Sequence, residues 1–408
     1  MNLHNADRFQ PEKPDRYRLP PVVQPNWRLR DLEGALRPDK LDRLTDQIRS
    51  RYGVRYCVLL DRARSGLFLL AKLRELSGEW LLTSIMHRPT AVLLRQYCAG
   101  LAFVDVRSDF TVDPASVERM ITAGSRALVA THTYGKAADV RTLRRLADRN
   151  NLFLIENAVH LAGGASVDGR LLGSWGDAAI LSFNVDKPLG AILGGALLTN
   201  REDVWRSVSS QPLSVPNTKE TWDRIFSTYL AYRLKPAILR LGLGQSHRAA
   251  SDSVNETEAF RLDSYATYQP RAIHNLQATI ALNCFLKQDN VISKRQHNAE
   301  KLSAALRDIR ELQLPESTAQ QPHTFTYYPI MLGTHDRLEL GSKLAQLGIE
   351  TKWRYPPLHL QRDFSDIRRD TLPITEIIWR KHLLLPAGPW SNDSQIDYLA
   401  NALHSLLP

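Results

Sequence analysis

The sequence predicts an α/β fold, with a large domain built on a mainly parallel sheet followed by a smaller α+β domain. Between Tyr56 and Thr199, short apolar runs alternate with segments of helical periodicity. This rhythm is typical of parallel strands, because each pair of them needs a crossover helix. Beyond Asn200 the alternation stops, and long helical segments with few strands follow. With 408 residues, 43% of them hydrophobic, the chain is long enough to bury a substantial core.

The large domain is predicted from short apolar runs and the helical segments between them. The runs expected to be strands are Cys57–Leu60, Trp80–Thr83, Leu101–Val106, Ala127–Ala130 and Leu152–Ile155. The segments expected to be helices are Leu67–Leu76, Ala91–Ala99, Val117–Ile121 and Val140–Ala147. Ligands of such sheets bind beyond the carboxyl ends of the strands. The residues just after each strand are therefore the first candidates for a functional site.

The second half of the chain reads mostly as helices. A helix-like segment, Trp222–Leu243, contains Pro236, which we expect to break or kink it. Its mixture of apolar and basic residues suits either a membrane-surface contact or, as we favour here, a packed or dimer-interface helix. Further elements are expected as two long helices, a strand, a helix and a final helix: Ile273–Leu286, Val291–Leu306, Thr324–Met331, Arg337–Leu347 and Ser394–Leu407.

These changes in character predict three parts. Residues 1–50 form an N-terminal arm and first helix, residues 51–262 the large domain with a helical insertion near 205–262, and residues 263–408 the small C-terminal domain.

Composition narrows the class of protein. No apolar run reaches the roughly 18 to 20 residues that cross a bilayer, and Met1 to Arg18 lacks the apolar stretch of a signal peptide. We therefore expect a cytoplasmic protein. Three separated cysteines fit neither a disulfide framework nor a metal site. The net charge of +10 comes without a basic tract interleaved with aromatics, so we expect no nucleic acid. A solvated basic surface would explain the charge, and so would an anionic small-molecule substrate, which we expect here.

The stretch from Leu152 to Gly195 carries the clearest chemical signal. A strand ends in Glu156-Asn157-Ala158-Val159-His160, and a second strand, Ala178–Phe183, leads to Lys187 with Gly194-Gly195 beyond it. A lysine placed just past a strand, near glycines that let backbone approach a ligand, can direct its amine into a crevice.

Several motifs in the same order resemble the DegT/DnrJ/EryC1/StrS aminotransferases, a family that depends on pyridoxal 5′-phosphate (PLP) and acts mostly on nucleotide-linked keto-sugars. The lysine signature is Ser182-Phe183-x-x-x-Lys187 with Gly194-Gly195. The other matches are His132-Thr133-Tyr134-Gly135 with Asp139, Glu156-Asn157-Ala158-Val159-His160, Leu347-Gly348-Ile349, Tyr355-Pro356-Pro357-Leu358-His359 and Leu384-Leu385-Pro386. The resemblance implies a fold-type-I, aspartate-aminotransferase-like protein.

The resemblance also implies roles for residues around the cofactor. Lys187 would form the Schiff base and move the proton between substrate and cofactor. Ser182 would bind the cofactor phosphate, as would the helix N-terminus at Ala63, Arg64 and Ser65, where the family usually has Gly-Thr at the first two positions. His87 would stack on the pyridine ring, and His160 would lie beside its phenolic oxygen.

Other matched residues point to the substrate and to a partner subunit. Gln269 and Arg271 resemble the family's Asn-x-Arg turn, which reaches the neighbouring subunit's phosphate, so the resemblance implies a homodimer with shared active sites. Arg271, Tyr355 and His359 are the candidates for binding substrate. No metal site is expected.

One departure from the family matters most. The strand-end carboxylate that pairs with the protonated pyridine nitrogen is here Asn157. An amide that donates its N–H to this nitrogen requires an unprotonated ring, which is a weaker electron sink. Glu156 is a poor substitute because neighbouring strand residues point to opposite faces. Three interpretations stay open: a keto-sugar aminotransferase using glutamate or glutamine, a PLP enzyme of another reaction type, or a non-catalytic partner protein. We favour the first.

Overall fold

A mainly parallel sheet of eight strands organises the first half of the chain in the computed structural model, which describes residues 12, 14–35, 37, 39–161, 163–241 and 267–407. Its strands lie in the order β1-β9-β8-β5-β4-β2-β3-β12. Only β9 runs antiparallel to its neighbours β1 and β8. The strands are β1 (Tyr56–Leu60), β2 (Glu79–Thr83), β3 (Gly100–Val104), β4 (Ser125–Thr131), β5 (Phe153–Asn157), β8 (Ala178–Ser182), β9 (Gly195–Thr199) and β12 (Arg368–Arg369). The predicted α/β class is confirmed, as are the six strands predicted between Cys57 and Phe183.

Helices cover both faces of this sheet, as parallel strands buried on both sides require. One face carries α2 (Ala63–Ala71), α3 (Arg88–Tyr97) and α6 (Glu202–Ser209). The other carries α1 (Lys40–Tyr52), α4 (Pro114–Met120), α5 (Val140–Arg149) and α9 (Asn275–Phe285). A short hairpin, β6 (Ser166–Val167) with β7 (Arg170–Leu171), leads from β5 towards β8.

The alternation of side chains along each strand explains the two cores. Trp80 and Leu82 pack under α2 and α3, whereas Leu81 between them packs under α4 and α5. On β8, likewise, Ile180 packs on the face covered by α2, and Ala179 packs on the opposite face. Because both sets are apolar, the sequence shows continuous hydrophobic runs rather than strict alternation.

A second, three-stranded antiparallel sheet lies in the C-terminal part, in the order β10-β11-β13. Its core is separate from those of the large sheet and includes residues of the long helix α10 (Gln288–Leu306). The other elements are β10 (Leu312–Gln313), β11 (Tyr328–Leu332), α11 (Arg337–Gln346), α12 (Pro373–Lys381), β13 (His382–Leu385) and α13 (Asp393–Leu406).

The boundary between the two parts follows from this packing. Helix α9 contributes Leu276, Ile280 and Phe285 to a core of the large sheet, while α10 contributes Leu302 and Leu306 to the C-terminal core. We propose that the small domain begins near the start of α10, later than the sequence-based boundary at 263. Residue 263 itself lies outside the described residues.

The insertion predicted near 205–262 is helical where the structure describes it. Helix α7 (Thr218–Tyr229) continues through a π turn, Leu230–Leu234, into α8 (Lys235–Arg240). Pro236 is predicted to break or kink the helix, and the π turn ends two residues before it. Pro236 has no N–H for the fourth carbonyl before it, and a wider turn relieves the crowding there. The remainder of the insertion, 242–262, lies outside the described residues.

An N-terminal arm runs from the C-terminal part of the molecule to the loop between β8 and β9, which contains Lys187. Near its start the backbone N–H of Val22 donates to Glu350 (2.8 Å). Further on, the side chain of Asn26 donates to the carbonyls of Pro188 (2.8 Å) and Leu189 (3.2 Å). The arm therefore connects the two parts of the molecule across the segment that follows Lys187.

Candidate active site

Lys187 lies in a tight loop between β8 and β9. Its backbone N–H donates to the carbonyl of Asn184 (3.1 Å), and Phe183 donates to Gly194 (2.9 Å) as the loop closes. Gly194 has φ +126°, a conformation that favours glycine. The loop thus begins where the parallel strand β8 ends, at the sheet edge where ligands of α/β proteins bind.

Three polar side chains surround the amine of Lys187, whose side chain is 11% exposed. The Nζ atom lies 3.0 Å from Nε2 of His160 and 3.3 Å from the hydroxyl of Tyr355. A carboxylate oxygen of Asp186 lies 3.4 Å away. The structure therefore brings together three residues that the sequence analysis singled out, and adds Asp186, which it did not.

Asp186 is held by a second cation. Nη1 of Arg354 donates to Oδ2 of Asp186 (2.7 Å), and the hydroxyl of Tyr327 donates to the Asp186 carbonyl (2.9 Å). Burial alone would raise the pKa of Asp186, but the charges of Lys187 and Arg354 outweigh it and lower that pKa. Burial alone would lower the pKa of Lys187, and the Asp186 carboxylate reverses this, so its pKa is raised.

His160 is oriented by the backbone around it. Its Nδ1 accepts the N–H of Tyr134 (3.3 Å), and its carbonyl accepts the hydroxyls of Thr324 (3.1 Å) and Thr326 (2.6 Å). Burial, then the charge of Lys187, lowers the pKa of His160 well below its ordinary value, so the ring is neutral. With Nδ1 accepting, the proton of a neutral ring is on Nε2 and points towards Lys187.

Asn157 ends β5, the neighbouring parallel strand, and is buried. Its Nδ2 donates to the hydroxyl of Thr131 (3.2 Å) at the end of β4. Its Oδ1 is buried with no hydrogen-bond partner among the described residues. A buried, unsatisfied acceptor is costly, so this oxygen is a natural contact for a bound donor.

Glu156 points to the other side of the sheet. Its carboxylate accepts the backbone N–H groups of Gly173 (2.8 Å), Trp175 (2.5 Å) and Gly176 (2.7 Å). These hydrogen bonds occupy both carboxylate oxygens of Glu156 and hold the carboxylate away from Asn157. Glu156 is thus a structural residue of the segment before β8.

The N-terminus of α2 packs tightly on Gly195. A Cβ on Gly195 would lie 2.6 Å from both the backbone N and the Cα of Ala63, so only glycine permits this approach. The hydroxyl of Ser65 donates to Asp61 (2.9 Å) and lies 2.7 Å from that of Tyr268. The side chain of Ser65 therefore secures the turn, and the backbone of the helix start remains as its anion-binding feature.

Arg271 and Gln269 do not contact the Lys187 cluster of their own chain. Arg271 donates to both oxygens of Glu220 (3.1 Å each) and to Asp61 (3.4 Å), so it secures the same turn as Ser65. Gln269 is exposed. Within one chain, the turn between β1 and α2, where the cofactor phosphate is expected, is thus stabilised by ion pairs of Arg271 with Asp61 and Glu220.

His87 and Tyr355 lie together, whereas His359 lies elsewhere. The rings of His87 and Tyr355 meet edge to face, with centroids 6.3 Å apart. His359 contacts Ser84 through Nδ1 (2.7 Å) and lies 3.5 Å from Glu376, in a depression also lined by Arg369 and Arg380. Its contacts support a structural role between β2 and α12 instead of contact with Lys187.

The sequence analysis missed Asp186, Arg354, Tyr327 and Thr131. Asp186 is the residue before Lys187, and a carboxylate directly beside the candidate lysine is visible in the sequence, although its burial is not. Arg354 and Tyr327 come from the C-terminal part, and only the fold brings them to the lysine loop. Among the described residues, no group of His, Cys, Asp or Glu side chains could hold a metal ion.

The fold and this lysine site define a fold-type-I α/β transferase. The structure matches that of a DegT DnrJ EryC1 StrS aminotransferase from Brucella abortus with a TM-score of 0.72 at 20% identity, covering 92% of this chain and 95% of that one. It matches DesI, crystallised with its TDP-sugar product, with a TM-score of 0.74 at 21% identity over 97% and 93% of the two chains. Both likenesses concern the fold.

Residues 30–404 match the model of the DegT/DnrJ/EryC1/StrS aminotransferase family, and the chain belongs to that family. One relative is dTDP-3-amino-3,4,6-trideoxy-alpha-D-glucose transaminase of Micromonospora megalomicea subsp. nigra, 27% identical over 83% of this chain and 82% of the relative. Another is GDP-perosamine synthase of Caulobacter vibrioides, 26% identical over 76% and 74% of the two chains. The resemblance drawn from the sequence motifs is confirmed.

Proposed function

We propose that this protein is a PLP-dependent aminotransferase that converts a nucleotide-linked keto-sugar into an amino-sugar, with glutamate or glutamine as amino donor. The relatives named as a dTDP-amino-sugar transaminase and as GDP-perosamine synthase support the substrate class. The observation that carries the proposal is the position of the Lys187 amine at the end of β8, beside His160 and Tyr355.

The residues present fit this cofactor. A structural relative, a GDP-4-keto-6-deoxy-D-mannose-3-dehydratase of E coli, was crystallised with bound hydrated PLP. Here the buried Oδ1 of Asn157 lacks a partner among the described residues, and the start of α2 packs against Gly195, which pairs with Ser182 across β8 and β9. The first suits a ring N–H and the second a phosphate. PLP supplies an aldehyde for covalent binding and an electron sink for carbanions.

Lys187 is the residue that moves the proton. Once its amine is free, it must be neutral to accept a proton from the substrate carbon and protonated to return one. The Nε2–H of His160 donates to a neutral amine, whereas Asp186 favours the charged form. Arg354 occupies one oxygen of Asp186 and so moderates that effect. The protonation of Lys187 thus depends on two opposing neighbours: His160 favours the neutral amine, and Asp186 favours the charged one.

Asn157 presents its oxygen, because its nitrogen is used by Thr131. In this orientation the amide accepts a hydrogen bond, so it is compatible with a protonated ring nitrogen. This differs from the unprotonated ring expected if Asn157 donated its N–H. An amide still lacks the charge of a carboxylate, so we propose that protonation of the ring is weaker here than beside an aspartate.

We propose a homodimer and a cytoplasmic location. Gln269 is exposed and follows the turn held by Ser65 and Tyr268, so it is available to a second subunit. Arg271 lies at the same edge, where it pairs with Asp61 and Glu220. An anionic substrate suits the basic chain, whose net charge is +10. No helix of the described residues is long and apolar enough to span a membrane.

The experiment is covalent trapping combined with single turnover. After incubation with PLP and reduction by borohydride, tryptic mapping should find the pyridoxyl group on Lys187, and excess L-glutamate should transfer its amino group to the cofactor in a stopped-flow trace. Lys187→Ala should abolish both. Lys294→Ala, which changes a partly exposed lysine paired with Asp393, should preserve them.

Two results would contradict the proposal. A pyridoxyl group on another lysine would remove the role of Lys187. Trapping on Lys187 without amino transfer from any donor tested would favour a different PLP reaction or a non-catalytic protein.

A further inference from the structure

The turn after β4 holds Tyr134, a fully buried residue, in an unusual conformation. Its φ of +57° lies in the left-handed region, which favours glycine and is unfavourable for a bulky side chain. A residue keeps such a conformation only where the contacts around it require it. The contacts of Tyr134 therefore indicate what it does.

The backbone of Tyr134 holds two residues of the Lys187 site. Its N–H donates to Nδ1 of His160 (3.3 Å), the ring whose Nε2 lies beside the lysine amine. Its carbonyl accepts the N–H of Tyr327 (3.3 Å), whose hydroxyl donates to the carbonyl of Asp186 (2.9 Å). One residue of the large domain thus holds a neighbour of the amine and a neighbour of Asp186.

The hydroxyl of Tyr134 reaches the C-terminal part of the molecule through His382. Nδ1 of His382 lies 2.8 Å from the carbonyl of Ile378, which can only accept, so Nδ1 carries the proton. Nε2 is therefore an acceptor, and it receives the hydroxyl of Tyr134 (3.3 Å) and the backbone N–H of Arg354 (3.2 Å). Burial, then the charge of Arg337, lowers the pKa of His382 to about 3, so this ring stays neutral.

These contacts lead from the hydroxyl to the charges beside Lys187. Arg354 donates through Nη1 to Oδ2 of Asp186 (2.7 Å), and that carboxylate lies 3.4 Å from the amine. Because Nε2 of His382 receives both donors, the hydroxyl of Tyr134 fixes the ring, and the ring fixes the backbone of Arg354. Without the hydroxyl, we expect Arg354 to hold Asp186 less firmly, which leaves more of the carboxylate's charge for Lys187.

We propose that Tyr134 is a positioning residue that holds Arg354 at the carboxylate beside Lys187. Its hydroxyl acts through the ring of His382, and its backbone orients His160 at the same time. A residue in the turn after β4 thereby controls how readily the lysine amine loses its proton. The use of this control in amino transfer rests on the proposed function, whereas the contacts themselves do not.

Acetylation of the full chain without PLP tests the proposal. Acetic anhydride reacts with the neutral amine, and tryptic mapping near neutral pH measures the rate at Lys187. Tyr134→Phe removes the hydroxyl and keeps the ring and the backbone. It should slow acetylation of Lys187 about threefold, which corresponds to a rise of about half a unit in the pKa of the lysine. A structure that merely loosened would expose the amine and speed the reaction, so the direction separates positioning from general destabilisation.

A double variant and a matched control test the route. In Arg354→Gln the end of the route is absent, so the addition of Tyr134→Phe should leave the acetylation rate of Lys187 unchanged. Tyr328→Phe removes another buried tyrosine hydroxyl, which lies 2.7 Å from that of Ser303 in the C-terminal core, and it should acetylate at the wild-type rate.

Three results would overturn the proposal. They are unchanged or faster acetylation in Tyr134→Phe, a slowing that persists in the Arg354→Gln background, and an equal slowing in Tyr328→Phe. The result is also distinct from that of the trapping experiment. If Tyr134→Phe slows acetylation as expected but reduction finds no pyridoxyl group on Lys187, the proposed function fails and the positioning role of Tyr134 stands.

Discussion

The two charges around Lys187 predict opposite shifts of its pKa. Asp186 lies 3.4 Å from the amine, and at an effective dielectric constant of about 20 this attraction amounts to about 5 kcal/mol, or more than 3 pKa units. Arg354 acts in the other direction. Because solvent reaches 11% of the lysine side chain, we expect less than the full effect: Asp186→Asn should lower the pKa of Lys187 by about one to two units, and Arg354→Gln should raise it.

The assay is the pH dependence of covalent PLP attachment to the apo-protein, since only the neutral amine attacks the aldehyde. The midpoint should move to lower pH in Asp186→Asn and to higher pH in Arg354→Gln. Asp289→Asn, which removes a surface partner of Arg51, is the control and should leave the midpoint unchanged. Midpoints that move in the same direction in both site variants, or not at all, would refute the assignment of opposing electrostatic roles.

Three further predictions concern the site and its assembly. Asn157→Asp should increase protonation of the PLP ring nitrogen, as measured by ¹⁵N NMR of labelled cofactor. An unchanged ¹⁵N chemical shift would show that residue 157 does not contact the ring nitrogen. Gly195→Ala should weaken PLP binding at least tenfold, because its Cβ would meet the Ala63 backbone at 2.6 Å. Gly124→Ala should bind PLP normally, because its Cβ would meet only the hydroxyl of Thr122, at 3.7 Å. The protein should sediment as a dimer at micromolar concentration, and Arg271→Ala should weaken PLP binding; a monomer with tight PLP binding would contradict the shared site.

The part of the site on the large sheet could be predicted because it is local in sequence. Asn157 ends a parallel strand, His160 and Lys187 each follow one, and such strand ends meet at one edge of the sheet. The separation of Glu156 from Asn157 also follows from the two-residue period of a strand. By contrast, His359 belongs to a matched motif, but its ring contacts Ser84 and Glu376 and not Lys187. Nothing in the sequence of the motif indicates which way this side chain points.

The sequence by itself determined the α/β class, the order of the strands along the chain and the family, and it predicted Lys187 as the reactive lysine. These depend on apolar periodicity and on short motifs, which are properties of neighbouring residues. Only the tertiary structure decided which groups set the charge of Lys187, because Arg354 lies 167 residues beyond it and reaches Asp186 only after the C-terminal part has packed against the sheet. The orientation of Asn157 was decided in the same way, since its amide turns towards Thr131 on the adjacent strand. Long-range pairs of this kind depend on chain topology and packing, which a linear pattern does not encode locally.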